Sequence, residues 1–321
     1  MRARAVLRWT TRGSVTVGVL AACLVLADVA ETTPRGVNGR IAYVNEVADK
    51  PQLFTIRPDG TERARVRGAV RGAGNPDWAP DGRSIVAEVE TASGAGVSLI
   101  APDGSTVRNL TPKGYQGQPS FSPDGRWIVL ERDPKPGDNG VWLMRRDGSG
   151  LRRLTRNPFM VAGGECGCDT DPNFSPNGRL ITFVRVKQDE LLSALFVTRR
   201  DGTGLRQLTP YTWGVGIKHD WSPDGRRIVL TVNAHQVQPD VSANIVTIRP
   251  DGSGRVDLTR FTGGTRHAFA GSFSPDGKQI ALRLEDGGRY SLAVMDTDGR
   301  NVRKLFTGSV PPVTIDWGTG R

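Results

Sequence analysis

The chain has 321 residues, 37% hydrophobic and 24% charged, with 40 Gly and 21 Pro, a turn-rich globular composition that excludes disorder and collagen-like repetition. Its formal net charge is +10, and taking away the four arginines Arg2, Arg4, Arg8 and Arg12 leaves +6. The remaining Lys and Arg are spread through turns rather than gathered in a stripe with interleaved aromatics, which argues against nucleic acid and leaves unspecific attraction to anionic polymers or lipid headgroups.

Residues 1–30 differ in kind from the rest. Met1 to Arg12 holds the four arginines and no acid, and Gly13 to Ala27 is nearly all apolar or small. A basic stretch followed by an apolar run of this length is an export signal. Leu20-Ala21-Ala22-Cys23 resembles the lipobox of bacterial lipoproteins, in which Cys23 would carry the lipid; the alternatives are an uncleaved anchor or cleavage near Ala27. In each case the expectation is export, with membrane attachment only through this segment. Residues 31–37 read as a short linker.

From residue 38 onward the chain repeats. The stretch Phe121-Ser122-Pro123-Asp124-Gly125-Arg126 recurs at Trp78–Arg83, Phe174–Arg179, Trp221–Arg226 and Phe273–Lys278. An aromatic residue ends one strand, Pro presets the first turn position, and Asp-Gly or Asn-Gly accepts the positive φ before an apolar strand resumes. A second hairpin signature interleaves with it, at Asp59-Gly60, Asp103-Gly104, Asp147-Gly148, Asp201-Gly202, Asp251-Gly252 and Asp298-Gly299. An aliphatic residue stands six positions before each of these Asp (Leu53, Val97, Val141, Leu195, Ile245, Leu292) and another seven after (Val66, Leu110, Leu154, Leu208, Leu258, Leu305). The Asp-Gly turns are 44, 44, 54, 50 and 47 residues apart, so the unit is four short strands, the period of a propeller blade. Ile41 to Val44 lacks a first strand, while Val313 to Trp317 is a first strand with no blade after it. Joined, they complete a sixth blade. The expected fold is therefore all-β: a six-bladed propeller over 38–318, of four-stranded antiparallel blades, closed by the C-terminal strand and scarce in helix.

The SPDGR turns, with the pattern of Leu143 to Thr155 and Val197 to Thr209, resemble the TolB-type propeller repeat (the WD40-like PD40 family). The resemblance implies a monomeric binding scaffold. TolB proteins carry an α/β domain ahead of the propeller, which the short stretch Asp28 to Val37 does not accommodate.

If the first strand of each blade runs downward, both turn families lie at the bottom and the variable loops on top. The longest interval from outer-strand aliphatic to next aromatic is 20 residues, from Leu154 to Phe174. Binding sites concentrate on variable loops of rigid scaffolds, so the loops over Thr155–Asn173, Leu230–Asn244 and Thr259–Ser272 form the expected binding face. Phe159, Tyr211, Trp213, Phe261 and Phe269 are its candidate anchors, with packing of loops on blade tops as the alternative for each. Cys166 and Cys168 in the longest loop read as a local disulfide in an oxidising compartment, with free or metal-bound thiols and a redox pair as alternatives. His219, His235 and His267 also fall in top loops and would be the ligands of a divalent metal, although their spacing is no metal motif and His219 occupies the slot of Pro76, Pro119 and Pro172. Asp169 and Asp171, with Asp296 and Asp298, are oxygen donors for Ca²⁺ by type, but Asp in turns more often caps its own backbone.

The chain has no G-x-S-x-G elbow, phosphate loop or dinucleotide fingerprint. The reading is an exported, non-catalytic propeller without cofactor, binding a protein or envelope polymer through its long-loop face. The alternative is a metal-dependent lyase or hydrolase with a His-lined site at the channel mouth.

Overall fold

Each SPDG segment forms the turn its residues dictate. Ser122 and Trp127 pair at the hairpin mouth (N–H···O 2.9 Å), Gly125 closes the turn onto the Ser122 carbonyl at a φ of +66°, and Asp124 accepts the Ser122 hydroxyl and the Arg126 N–H. The same bonds recur around Asn177, Asp224 and Asp276. Proline at the turn and a side-chain acceptor for its backbone leave the chain little freedom to do otherwise.

The computed structural model describes residues 36–320 apart from 68–71, 92–93, 112–114, 135–137, 159–167, 188–191 and 235–240. These form six antiparallel sheets of four strands, one per blade, and a single 3-10 turn at Tyr211–Trp213 is the helical element among them. The expected closure is present. The strand Val313–Thr319 pairs with Asn38–Val47, with Trp317 opposite Ile41 and Asp316 opposite Ala42, so one blade holds both ends of the described chain. Closure leaves only short outer edges open to pairing.

Burial is between blades rather than within them. All six repeated isoleucines, Ile41, Ile85, Ile128, Ile181, Ile228 and Ile280, are fully buried. A typical cluster joins Val184, Leu195, Val197 and Leu208 of one blade to Trp221, Ile228, Leu230 and Val246 of the next. A blade alone would expose one such face, and neighbours supply its cover.

The register of the second hairpin follows from a backbone contact. A Cβ at Gly252, where φ is +90°, would lie 2.3 Å from the Leu208 carbonyl oxygen of the preceding blade. The equivalent distances are 2.8 Å for Gly148 to Leu110 and 2.4 Å for Gly299 to Leu258. Gly therefore serves twice there, for its left-handed φ and for close approach of another strand. The Thr after four of the outer-strand leucines binds back as well: Thr111, Thr155, Thr209 and Thr259 accept the N–H of Val97, Val141, Leu195 and Ile245 through Oγ1 at 2.8–3.0 Å. The spacing from aliphatic to Asp-Gly to aliphatic-Thr is thus one interlocked unit.

Candidate functional site: the channel and its two mouths

The innermost strands share a distortion that aims side chains at the axis. Three residues before the closing aromatic, Asn75, Gln118, Asp171, Lys218 and Thr314 adopt φ of +47°, +50°, +47°, +77° and +48°. The ladder to the second strand slips between Gly74 and Asp77, Gly117 and Ser120, and Thr170 and Asn173. A bulge with a left-handed residue turns a strand against its neighbour and re-aims the residues beside it. It is the ring, contacting each bulge from both sides, that holds these non-glycine residues in a region they seldom occupy.

One residue before each aromatic, the chain places Asp77, Ser120, Asn173, Asp220, Ser272 and Asp316. All six line an axial cavity of about 180 Å³ at the bottom mouth, beneath a rim that includes Pro80, Pro123, Pro176, Pro223 and Pro275. These side chains stitch blade to blade. Asp316 accepts the Trp78 N–H at 2.8 Å, Asp77 the Phe121 N–H at 2.8 Å, Asp220 the Phe273 N–H at 2.7 Å and Ser272 the Trp317 N–H at 3.1 Å, while Asn173 donates to the His219 carbonyl at 3.0 Å. Each bond crosses to the following blade, so the ring is fastened at its centre as well as at its rim.

The same groups set the electrostatics. Burial, then the charge of Asp316, pushes Asp77 well above the usual carboxylate range, and the same two causes push Asp220 up to about 6. Burial raises Asp316 against the opposing field of Lys218. Lys218 is the counter-charge: burial favours its neutral form, but the carboxylates of Asp316, Asp171, Asp77 and Asp220 together outweigh that and hold it above the ordinary lysine value. Lys218 stands between this acidic ring and a second cavity of about 210 Å³, lined by Gly216, Ile217, Phe269, Ala270, Arg283 and Thr314 among others. Lys218 and Thr314 begin innermost strands and Ala270 precedes the Gly271 bulge, so this cavity opens at the opposite, top mouth.

The two described histidines, His219 and His267, are each held by their own neighbours. His219 is fully buried, with Nδ1 2.9 Å from Asp171 Oδ2 and Nε2 2.8 Å from Thr182 Oγ1. His267 Nδ1 accepts the Ala243 N–H and Nε2 donates to the Gly264 carbonyl. In both rings the two nitrogens are occupied, and among the described residues no group of three or more His, Cys, Asp or Glu is close enough to hold a metal ion. His235, Phe159, Cys166 and Cys23 lie outside the described residues, and with Cys166 the Cys166–Cys168 pairing. The carboxylates named as Ca²⁺ donors have other work. Asp169 forms a bidentate buried pair with Arg185, at 2.6 and 2.7 Å, and Asp171 accepts the Lys218 and His219 N–H groups.

The other candidate anchors pack on their own loops. Trp213 and Phe261 are half-buried against neighbouring clusters, with Arg255 4.5 Å above Trp213 and Arg266 4.4 Å above Phe261. Lys187 covers Tyr211 at 4.4 Å and Arg283 covers Phe269 at 3.7 Å. Sequence reasoning missed Ile217, Lys218, Arg283 and the Asp77, Asp220, Asp316 set. The last had a signal: a polar residue immediately before each closing aromatic, opposite in facing to a buried ring.

Among solved structures the chain is similar to TolB from Acinetobacter baumannii, at a TM-score of 0.69 and 22% identity over 87% of this chain and 66% of that one. The fold is a TolB-type six-bladed β-propeller. A putative TolB from Agrobacterium tumefaciens aligns at 0.63 with 18% identity over 84% of this chain and 89% of that one. The tricorn protease aligns at 0.55 and 15% identity, covering 84% of this chain and 26% of its own. By sequence, the Tol-Pal system protein TolB of Anaeromyxobacter dehalogenans strain 2CP-C is 34% identical over 97 residues, 30% of this chain and 20% of that protein. An uncharacterized peptidase, YuxL of Bacillus subtilis strain 168, is 38% identical over 64 residues, 20% of this chain and 9% of its own. The chain thus spans about a fifth or less of the curated relatives it matches, and no family model matches it. Proteins named TolB and a protease both align with this fold, so the fold alone assigns no chemistry.

Proposed function

We propose that this TolB-type propeller is an exported, non-catalytic binding module of the cell envelope that engages a protein or envelope polymer through its top, long-loop face. The observation that carries the reading is the asymmetry of the two faces. The bottom is a set of near-identical tight turns whose polar groups satisfy one another, whereas the top mouth exposes Ile217 by 47% beside half-buried Trp213, Phe261 and Phe269 and the variable loops. Rigid aromatics flanked by arginine are the residue types that anchor interfaces. The TolB neighbours supply a precedent for a propeller in an envelope system, and the basic and apolar residues 1–27 fit export.

The metal-dependent alternative gains no support from the occupied nitrogens of His219 and His267. Affinity capture from envelope extract with the full chain, repeated with Ile217→Asp and Trp213→Ala, tests the reading. A partner retained by the parent and lost by both variants, with unchanged melting, is the expected result. Equal capture by all three, or recovery of the tagged full chain in the cytoplasmic fraction, overturns it.

A further inference from the structure

The 210 Å³ cavity at the top mouth is built by small residues where larger ones stand in other blades. Three residues before the aromatic, five blades carry Asn75, Gln118, Asp171, Lys218 and Thr314, but the fifth blade in chain order carries Ala270, which leaves space beside the axis. Gly216 adds to it. A Cβ there would lie 2.8 Å from Ala234 Cβ and 3.2 Å from Thr231 Cβ, so the backbone runs close against its neighbour. Gly271 lets Ile315 approach in the same way, since its Cβ would meet Ile315 Cβ at 2.9 Å.

The walls are apolar over most of their area, from Ile217, Phe269, Pro312, Val313 and Ile315. Their polar side chains are two cations and a hydroxyl, Lys218, Arg283 and Thr314, with no carboxylate among them. The residues Arg283 and Thr314 both line this cavity, and Arg283 Nε and Thr314 Oγ1, buried behind its surface, have no hydrogen-bond partner among the described residues. A buried polar atom without a partner costs about 1–3 kcal/mol, so a bound group that reached either one would relieve that cost. The Arg283 guanidinium lies flat over the Phe269 ring at 3.7 Å. A stacked guanidinium keeps its edge for a planar acceptor, which is the way arginine holds a carboxylate. Lys218 is the second cation of the lining, and of its four counter-charges Asp77, Asp220 and Asp316 line the cavity at the other mouth while Asp171 accepts its backbone N–H. An amine-bearing ligand would meet two cations and no carboxylate among these residues.

We infer that the top-mouth cavity is a binding site for a small monocarboxylate with a compact apolar body, its carboxylate received by Arg283 and Thr314 with Lys218 as the second cation, and its body against Ile217, Phe269 and Pro312. The site shares Ile217 and Phe269 with the face proposed above, but its occupancy needs no macromolecule and is tested with small acids alone. It makes the propeller a sensor of small acids as well as a scaffold.

Thermal-shift and calorimetric titration of the full chain with isovalerate and benzoate, against isovaleramide and benzamide, tests this. The acids bind and raise the melting temperature while the amides, isosteric and uncharged, bind at least about tenfold more weakly, the fold-change of one lost charge-assisted contact. Arg283→Gln and Thr314→Val each weaken isovalerate or benzoate about tenfold or more, and Arg283→Lys recovers part of the loss. The melting temperature of each unliganded variant shows that it is folded. The inference is overturned if acids and amides bind alike, if neither binds at millimolar concentration, or if Arg283→Gln is folded and binds as the parent does. It is also overturned if the acids do not bind but a peptide with a free apolar C-terminus does and its amidated form does not, since the occupant is then a chain end.

Discussion

Asp220 shows what a single carboxylate does in this ring. Its Oδ2 receives the Phe273 N–H of the next blade at 2.7 Å and its Oδ1 the Trp221 N–H at 2.8 Å. Asp220→Ala leaves two backbone donors unsatisfied beside the axis and is expected to cost roughly 2–4 kcal/mol in urea denaturation at pH 7, while Asp220→Asn keeps an acceptor oxygen and costs less than half as much. An alanine variant as stable as the parent would show that these bonds do not hold the blades. Glu131 supplies the pH dependence. It is 5% exposed, bonded only to neutral donors, Asn139 at 2.7 Å and Thr170 at 2.6 Å, and burial raises it to about 7. An acid whose folded value lies above its unfolded value of about 4.3 binds protons more tightly when folded, so stability falls as pH rises from about 4.3 to 7. Glu131→Gln removes that slope and raises the melting temperature at pH 7.5 relative to the parent but not at pH 4.5. The two profiles running parallel would refute the assignment. Below pH 4 the sign reverses, because Asp124 and Asp276, held low by turn hydrogen bonds against slight burial, lose their charge there.

At the scale of the element, the hairpin turns carry the blade spacing. Gly252→Ala puts a methyl group 2.3 Å from a backbone oxygen at a φ of +90°, and is expected to destabilise by about 2–4 kcal/mol, strain and clash together. Gly263→Ala shares the positive φ, +84°, but has nothing within 4 Å of the added atom, so its cost is strain alone, about 1–2 kcal/mol. Chemical denaturation of the two variants side by side separates strain from interblade contact; equal losses would mean the contact yields. These turns were legible because each needs particular residues at fixed spacing. The bulges were not, since Asn75, Lys218 and Thr314 have no common chemistry and owe their conformation to the blades on either side.

At the scale of the whole molecule, the closing strand holds the ring. Deleting Val313–Thr319 removes the Trp317–Ile41 pairing, the Asp316 bond to Trp78 and the stacking surface of Trp78 on Gly318, where a Cβ would come within 2.4 Å of the indole. Loss of cooperative unfolding, read by calorimetry and by proteolysis within the first blade, is expected; an unchanged melting temperature would show that the propeller does not depend on its closure.

The sequence alone determined the blade count, the strand order and the closure, because hairpins are local and each turn, buried isoleucine and closing aromatic is specified within a few residues of itself. It also marked the first thirty residues as different in kind. It did not determine the site. His219, singled out for metal chemistry, lies between Asp171 and Thr182, whereas Lys218 next to it stands between four carboxylates and the top-mouth cavity. Which of two adjacent residues is buried and which meets the axis depends on the left-handed backbone of Lys218, at a φ of +77°, and that conformation depends on contacts from neighbouring blades. Likewise Arg283 and Thr314 meet at one cavity because Ala270, in an innermost strand, and Gly216, in the loop ahead of another, leave room for it. Such convergence belongs to the closed ring, in which the partners of a side chain come from neighbouring blades rather than from neighbouring residues.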